Sequence, residues 1–87
     1  MAKIDVKEVN ANTFHVTVSA NRTTEHEVTV QPEYAFKLCN DSMSTSELVK
    51  KSFQFLLERE SNTSILRKFD LGVINQYFPA YENEISK

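Results

Sequence analysis

Three side chains in this sequence could bind a metal ion or act as a nucleophile: His15, His26 and Cys39. A zinc site needs three or four such ligands that converge on one ion. In the strand pattern described below, His15 faces the polar side of a sheet and His26 lies at the rim of its apolar side. Cys39 has no ligand partner at a suitable spacing. We therefore predict no metal site.

Acid–base catalysis would need paired carboxylates in an apolar setting, and Glu25 and Glu27 are the nearest approach to such a pair. They share one strand face, but the pattern places that face in solvent, the usual position of charged side chains. The sequence also lacks a Gly-rich phosphate loop, a nucleophile elbow and a Cys–His pair at a recognisable spacing. We predict a protein that is not an enzyme, without catalytic or cofactor-binding residues.

Three stretches alternate between apolar and polar residues with the two-residue period of half-buried strands: 3–9, 13–19 and 24–30. Short turns that contain Asn separate them, so we predict an antiparallel meander over residues 3–31. One register makes a face of this meander continuously apolar. Its pairs are Val9–Thr13, Val6–Val16 and Ile4–Val18 in the first hairpin, and Ala20–Thr24, Val16–Val28 and Phe14–Val30 in the second.

Pro32 is predicted to start a first helix, where its missing N–H costs nothing. The inner side of this helix carries Tyr34, Ala35, Leu38 and Cys39. A polar turn at 40–42 ends it. Ser44, with a glutamate three residues later, forms a capping box that begins a second helix over 45–60.

The helix at 45–60 is apolar over a wide arc, about 200° at ~100° per residue, with Ser52 near its middle. A helix that packs on one sheet needs a stripe of only about 100°. The remainder must be covered by the C-terminal segment of the same chain or by the same helix of a second copy. We predict a homodimer in which Phe53, Phe55 and Leu57 reach the partner.

The C-terminal segment is predicted to form two more helices. Thr63 or Ser64 caps a short helix through ILRKF, and Asp70 caps a helix over LGVINQYF that ends before Pro79. These residues are dense in large apolar side chains, which either close the wide apolar face of the helix at 45–60 or present a surface to a partner. Residues 80–87 are predicted to be a frayed tail.

Length and composition fit a single α+β domain over residues 1–87. We predict a three-stranded antiparallel meander at 3–31, followed by three to four short helices at 32–79 that pack on one of its faces. The net charge of −2 gives no general attraction to nucleic acid or anionic membranes. We expect neither a signal peptide nor a membrane span, and a cytoplasmic location, because no long apolar run is present.

A strand, Pro-Glu, a short helix, a polar turn and a second helix follow one another in residues 24–60. This order, and the stretch MSTSELVKKSFQFLLE above all, resembles the ribbon-helix-helix unit, a DNA-binding fold of small bacterial repressors and many antitoxins. The preceding meander is similar to antitoxins of the HicB type, and SILRKFDLGVINQYFPAYENEI is similar to small uncharacterised bacterial proteins. The resemblance implies that the strand side chains Glu25, Glu27 and Thr29 face DNA.

The charges on that strand favour a different function. Phosphates would repel Glu25 and Glu27, and the basic residues are scattered along the chain rather than arranged in a stripe. We therefore predict a non-catalytic protein-interaction or regulatory module, antitoxin-like in role, that binds a protein partner or a second copy of itself. The alternative is a ribbon-helix-helix transcriptional regulator that binds DNA.

Overall fold

Strands fill the first third of the chain and short helices most of the rest. The structure, a computed structural model, describes residues 3–39 and 43–85. Their elements in chain order are β1 (Lys3–Asn10), β2 (Thr13–Ser19), β3 (Thr23–Thr29), α1 (Pro32–Cys39), α2 (Thr45–Leu57), a 3₁₀ turn (Asn62–Ser64), β4 (Lys68–Asp70), α3 (Val73–Tyr77) and α4 (Tyr81–Ile85).

The predicted antiparallel meander is confirmed, and the helices pack on one face of its sheet. The protein therefore has an α+β fold. In the first hairpin Val6 lies opposite Val16 and Ile4 opposite Val18, as predicted. The predicted Val9–Thr13 pair is wrong, because a bulge between Glu8 and Asn10 takes Val9 out of the ladder and leaves it 59% exposed.

In the second hairpin the predicted register is wrong by two residues. Val16 lies opposite His26, and Phe14 lies opposite Val28. A shift of two residues leaves every side chain on its predicted face, so the apolar alternation fits both registers equally well. The shift has one large effect: His26 moves from the rim of the apolar face to its interior, where it is 1% exposed.

A fourth strand completes the sheet. The helix predicted through ILRKF is wrong, because Lys68–Asp70 form β4, which pairs in parallel with β3. Phe69 and Leu71 are both buried, at the two-residue spacing of a strand. The flanking amides complete the ladder, with Glu27 N–H donating to Arg67 O and Leu71 N–H to Thr29 O. The edge of β3 that a three-stranded meander would leave exposed is therefore covered by β4.

Helices α1 and α2 begin where the sequence predicts. Ser44 caps α2, and its Oγ accepts the Glu47 amide at 3.2 Å. On α1 the predicted inner residues Ala35, Leu38 and Cys39 are buried, and Tyr34 is half-buried. The predicted polar turn at residues 40–42 lies outside the described residues.

The C-terminal segment closes the core over α2. Asp70 Oδ1 accepts the Gly72 amide at 3.2 Å, and the helix predicted after Asp70 forms as the shorter α3. The prediction of a frayed tail is wrong for residues 81–85, which form α4 with Tyr81 fully buried. Within residues 3–39 and 43–85, no helix is long and apolar enough to cross a lipid bilayer.

The hydroxyl of Tyr81 connects α4 to α2 through two successive hydrogen bonds whose donors can be assigned. Ser52 Oγ donates its one proton to Leu48 O at 2.7 Å, because a carbonyl can only accept. Ser52 Oγ must therefore accept from the Tyr81 hydroxyl, 2.6 Å away. Burial raises the pKa of Tyr81, which keeps this donor protonated. A larger residue in place of Ser52 would hold the two helices apart.

We expect Tyr81→Ala to lower the free energy of unfolding by about 3–5 kcal/mol, since it empties a fully buried aromatic site. Tyr81→Phe should cost only about 0.5–1.5 kcal/mol, the value of the lost hydrogen bond. Tyr77→Ala is the matched control, because Tyr77 is exposed, and should cost within ~0.5 kcal/mol. Urea unfolding followed by circular dichroism measures all three. Equal losses for Tyr81→Ala and Tyr77→Ala would mean that α4 is not part of the core.

Candidate functional site

The predicted interface residues Phe53 and Phe55 lie inside the core of their own chain. Phe53 is fully buried, with its ring centroid 5.3 Å from that of His26 and 6.0 Å from that of Phe69. Phe55 is buried against Phe78 and Tyr81, at centroid distances of 5.9 and 5.4 Å.

Because these rings are covered by their own chain, neither can reach a second copy, and the prediction that they do is wrong. Leu57, at the end of α2, is half-buried and keeps an accessible surface. A homodimer stays a prediction, but it would have to use a different surface of the molecule.

The candidate DNA-facing residues lie on the outward face of β3, as the alternation predicts, and two of them have a histidine or lysine partner in the same chain. Glu25 Oε1 is 2.9 Å from Nε2 of His15, which lies on the neighbouring strand β2. Glu27 Oε2 is 3.4 Å from Lys68 Nζ on β4. Thr29 lies opposite Asp70 in the parallel ladder. This face therefore shows partly compensated charges rather than a basic surface.

The two histidines are on opposite faces of the sheet. His15 lies on the outward face, whereas His26 is buried on the inner one, deeper than predicted. Cys39 is a buried thiol, and burial raises its pKa, which disfavours the nucleophilic thiolate. Among the residues that the structure describes, no three His, Cys, Asp or Glu side chains form a group that could hold a metal ion.

His26 belongs to a buried hydrogen-bond network whose donors can be assigned. Its Nδ1 is 2.7 Å from Leu66 O, and a carbonyl can only accept, so Nδ1 carries the proton. In the neutral ring Nε2 then accepts from Thr24 Oγ, 2.9 Å away. Thr24 Oγ in turn accepts from Asn62 Nδ2 at 3.0 Å, and Asn62 also donates to Arg22 O at 2.8 Å. The network ties the segment after α2 to β3 and its turn.

Burial lowers the pKa of His26, partly offset by its bond to Leu66 O, and the positive charges of Arg67 and His15 lower it further. The neutral ring is therefore the form that fits this site. The carbonyl of Leu66 thus accepts from a buried ring, while the Leu66 side chain is 50% exposed.

An apolar groove of about 260 Å³ lies beside this network, between the end of α2, the segment that leads into β4, and α3. Its buried walls include Leu56, Ile65 and Ile74. Glu60 and Ser64 are its polar residues. The full lining comprises Leu56, Glu60, Ser64, Ile65, Leu66, Phe69, Val73, Ile74, Tyr77 and Phe78.

Two large apolar side chains of the groove are exposed: Leu66 at 50% and Tyr77 at 68%. Among the described residues, Val9 and Phe36 are the other large hydrophobic side chains with comparable exposure, and neither lines this groove. A groove with apolar walls and exposed apolar residues is typical of a site that binds an apolar group of a partner.

Sequence reasoning did not single out Leu66 or Tyr77, although a local signal was present. Each is next to another large apolar residue, in the pairs Ile65–Leu66 and Tyr77–Phe78. In an extended segment two adjacent side chains point to opposite sides, so one of Ile65 and Leu66 must face solvent. In the structure Ile65 is buried and Leu66 is exposed, a choice that the sequence pattern does not reveal.

Comparison of the chain with protein-family models, with curated proteins and with solved structures gave no match. The function must therefore be inferred from the groove, the sheet surface and the buried network themselves.

We expect the stability of the fold to fall in mild acid because of His26. Its pKa is lowered in the folded chain from the usual 6.5, so the unfolded chain binds the proton more readily. The free energy of unfolding should be fully retained above pH 6.5 and should decrease as the pH falls below it. Urea unfolding between about pH 7.5 and about pH 5 measures this slope, a range in which histidine is the side chain that ordinarily titrates.

His26→Gln should flatten that slope, whereas His15→Ala should keep it and cost within ~0.5 kcal/mol, as expected of a surface site. The two variants are matched because each removes one histidine from the same sheet. An unchanged slope in His26→Gln would assign the pH dependence to another group.

Proposed function

We propose that this chain is a non-catalytic protein-interaction module whose groove at Leu66 and Tyr77 receives an apolar side chain of a protein partner. The exposure of these two residues beside apolar walls is the observation that carries the proposal. The proposal retains the regulatory, antitoxin-like role that the resemblance of residues 24–60 implies, and a cytoplasmic location.

The size of the groove favours a side chain over a whole small molecule. Sites for drug-sized ligands and cofactors have volumes of about 300–1,000 Å³. The groove, at about 260 Å³, is below that range and fits one large apolar side chain. Interfaces commonly derive much of their affinity from one such buried anchor surrounded by polar contacts. Glu60 and Ser64 are positioned to make the polar contacts.

The chemistry of the lining also supports binding rather than catalysis. A serine nucleophile needs an adjacent general base. Ser64 Oγ instead lies 3.3 Å from Ser61 Oγ, and no histidine, cysteine or basic residue lines the groove. A bound partner would therefore be held, and nothing in this lining would transform it.

No comparable observation supports the alternative of DNA binding. The outward carboxylates of β3 would face the phosphates, and the nearby side chains of His15 and Lys68 already have carboxylate partners. Main-chain bonds to β2 and β4 also fix β3 on both sides.

The proposal predicts that single substitutions in the groove abolish partner binding while the fold persists. Tagged protein would be used for affinity capture from its own cells, with proteins and DNA both identified. Leu66→Ser and Tyr77→Ser should each lose a protein that the parent retains. Phe36→Ser should retain it, and it is the matched control because Phe36 is 68% exposed, as is Tyr77.

A second experiment tests the groove directly and does not require that the partner be identified. Indole, a model of an apolar aromatic side chain, would be titrated into isotope-labelled protein and followed by amide chemical shifts. Shifts confined to residues around Ile65, Phe69 and Ile74, absent in Tyr77→Ser, are expected. Capture of the same proteins by all variants, or recovery of a preferred duplex DNA sequence instead of a protein, would contradict the proposal.

A further inference from the structure

The outer strand β1 has an unpaired edge with a distinctive charge pattern. β1 pairs with β2 on one side, and among the described residues no strand pairs with its other side. Its outward side chains Lys3, Asp5 and Lys7 alternate in sign and are all exposed. An exposed edge presents unpaired N–H and C=O groups to any strand of matching pattern.

The charged side chains of β1 differ in their ion pairing from the other charged residues on the same face of the sheet. The ion pairs formed within residues 3–39 and 43–85 are His15–Glu25, Lys37–Glu82, Arg59–Glu58 and Lys68–Glu27. None of them includes a residue of β1. Opposite Asp5 in β2 is the neutral Thr17, and opposite Lys7 is His15, which pairs with Glu25 instead. Within the part of the chain that the structure describes, the charges of β1 thus form no ion pair with another strand or helix.

The inner side of β1 is also incompletely covered. Ile4 and Val6 are only half-buried, whereas the inward residues of β2 are all buried. Beside Ile4 runs a shallow groove between β1 and α2, which Leu57 lines from the helix. Ile4, Val6 and Leu57 thus leave partly exposed apolar surface near the open edge, beside the polar residues Lys50, Gln54 and Glu58 that line the same groove.

We propose that β1 pairs in antiparallel fashion with β1 of a second copy of this chain, with Val6 at the two-fold axis. In this register Asp5 of each copy lies opposite Lys7 of the other, so two ion pairs form symmetrically about the axis. On the inner face Val6 lies opposite Val6, and Ile4 lies opposite the exposed Glu8 at each end of the pairing segment. Isologous pairing of this kind is the commonest basis of homodimers. It goes beyond the groove function, since it uses the opposite edge of the sheet.

The alternating charges select this register from its neighbours. A shift that places Asp5 opposite Asp5 also places Lys3 opposite Lys7, and like charges directly opposite one another are destabilising. A shift by one position would set apolar inner residues against charged outer ones. A register with Lys3 opposite Asp5 would leave Lys7 without a carboxylate opposite it. The bulge after Glu8 ends the ladder on the other side, so residues 4–8 form the pairing segment.

The alternating charge signs of β1 also distinguish this edge from an edge strand whose charges only prevent association with other chains. Edge strands commonly avoid association through charges, lysine above all. A run of one sign would repel a second copy in every register. The order Lys3, Asp5, Lys7 instead attracts a second copy in the antiparallel register given above, because opposite charges then face each other.

A charge swap tests the proposal. Sedimentation equilibrium over a range of concentrations should show a monomer–dimer equilibrium for the parent. Asp5→Lys and Lys7→Asp should each weaken dimerisation by about tenfold or more, because each replaces two attractive pairs by two repulsive ones. The double variant Asp5→Lys/Lys7→Asp should restore the parental affinity. Lys51→Asp, an equal charge change at an exposed site on α2, should leave it unchanged.

A second measurement uses the parent protein alone. Amide hydrogen exchange at residues 4–8 should slow as concentration rises, while exchange in the turn at Ala11 and Asn12 should not. A parent that stays monomeric at high micromolar concentration, or single charge variants that dimerise as tightly as the parent, would overturn the proposal. So would a double variant no better than the single ones, or exchange at residues 4–8 that does not depend on concentration.

Discussion

Helix α2 has apolar side chains on more than half of its circumference, and most of the fold can be understood as the means of covering them. Phe53 points toward the sheet and contacts His26 and Phe69. Phe55, two positions later and so on another flank of the helix, contacts Phe78 and Tyr81. One flank thus requires a sheet that extends to β4, and the other requires the C-terminal helices. A short meander alone could satisfy only the first requirement.

Periodicity explains which features the sequence predicts. The alternation in β1 to β3 fixes the face of each side chain, and the cap at Ser44 fixes the start of α2. The same alternation does not distinguish registers two residues apart, so it misplaces His26. The sequence pattern does not predict helix α4, because YENEI is mostly polar. Its two apolar residues, Tyr81 and Ile85, nevertheless have the four-residue spacing of one helix face.

The candidate site could not be predicted for a related reason. The groove joins residues from α2, the segment before β4, and α3, and their proximity depends on a strand pairing that the local pattern ILRKF does not indicate. The pattern did identify the apolar density of this segment and left its role open between core and interface. In the structure Ile65, Phe69 and Ile74 are in the core, while Leu66 and Tyr77 remain exposed.

The parallel pairing of β4 with β3 also implies that one part of the molecule folds before the other. Each hairpin of the meander closes through a short loop, whereas the bond from His26 to Leu66 joins residues 40 positions apart in the chain. Loop closure of that length costs more conformational entropy and must wait until α1 and α2 provide a surface. We expect the segment from Asn62 to Tyr77 to dock late in folding and to open first in native fluctuations. Most residues that line the groove belong to this segment, so its shape would adjust to a partner more readily than the meander would.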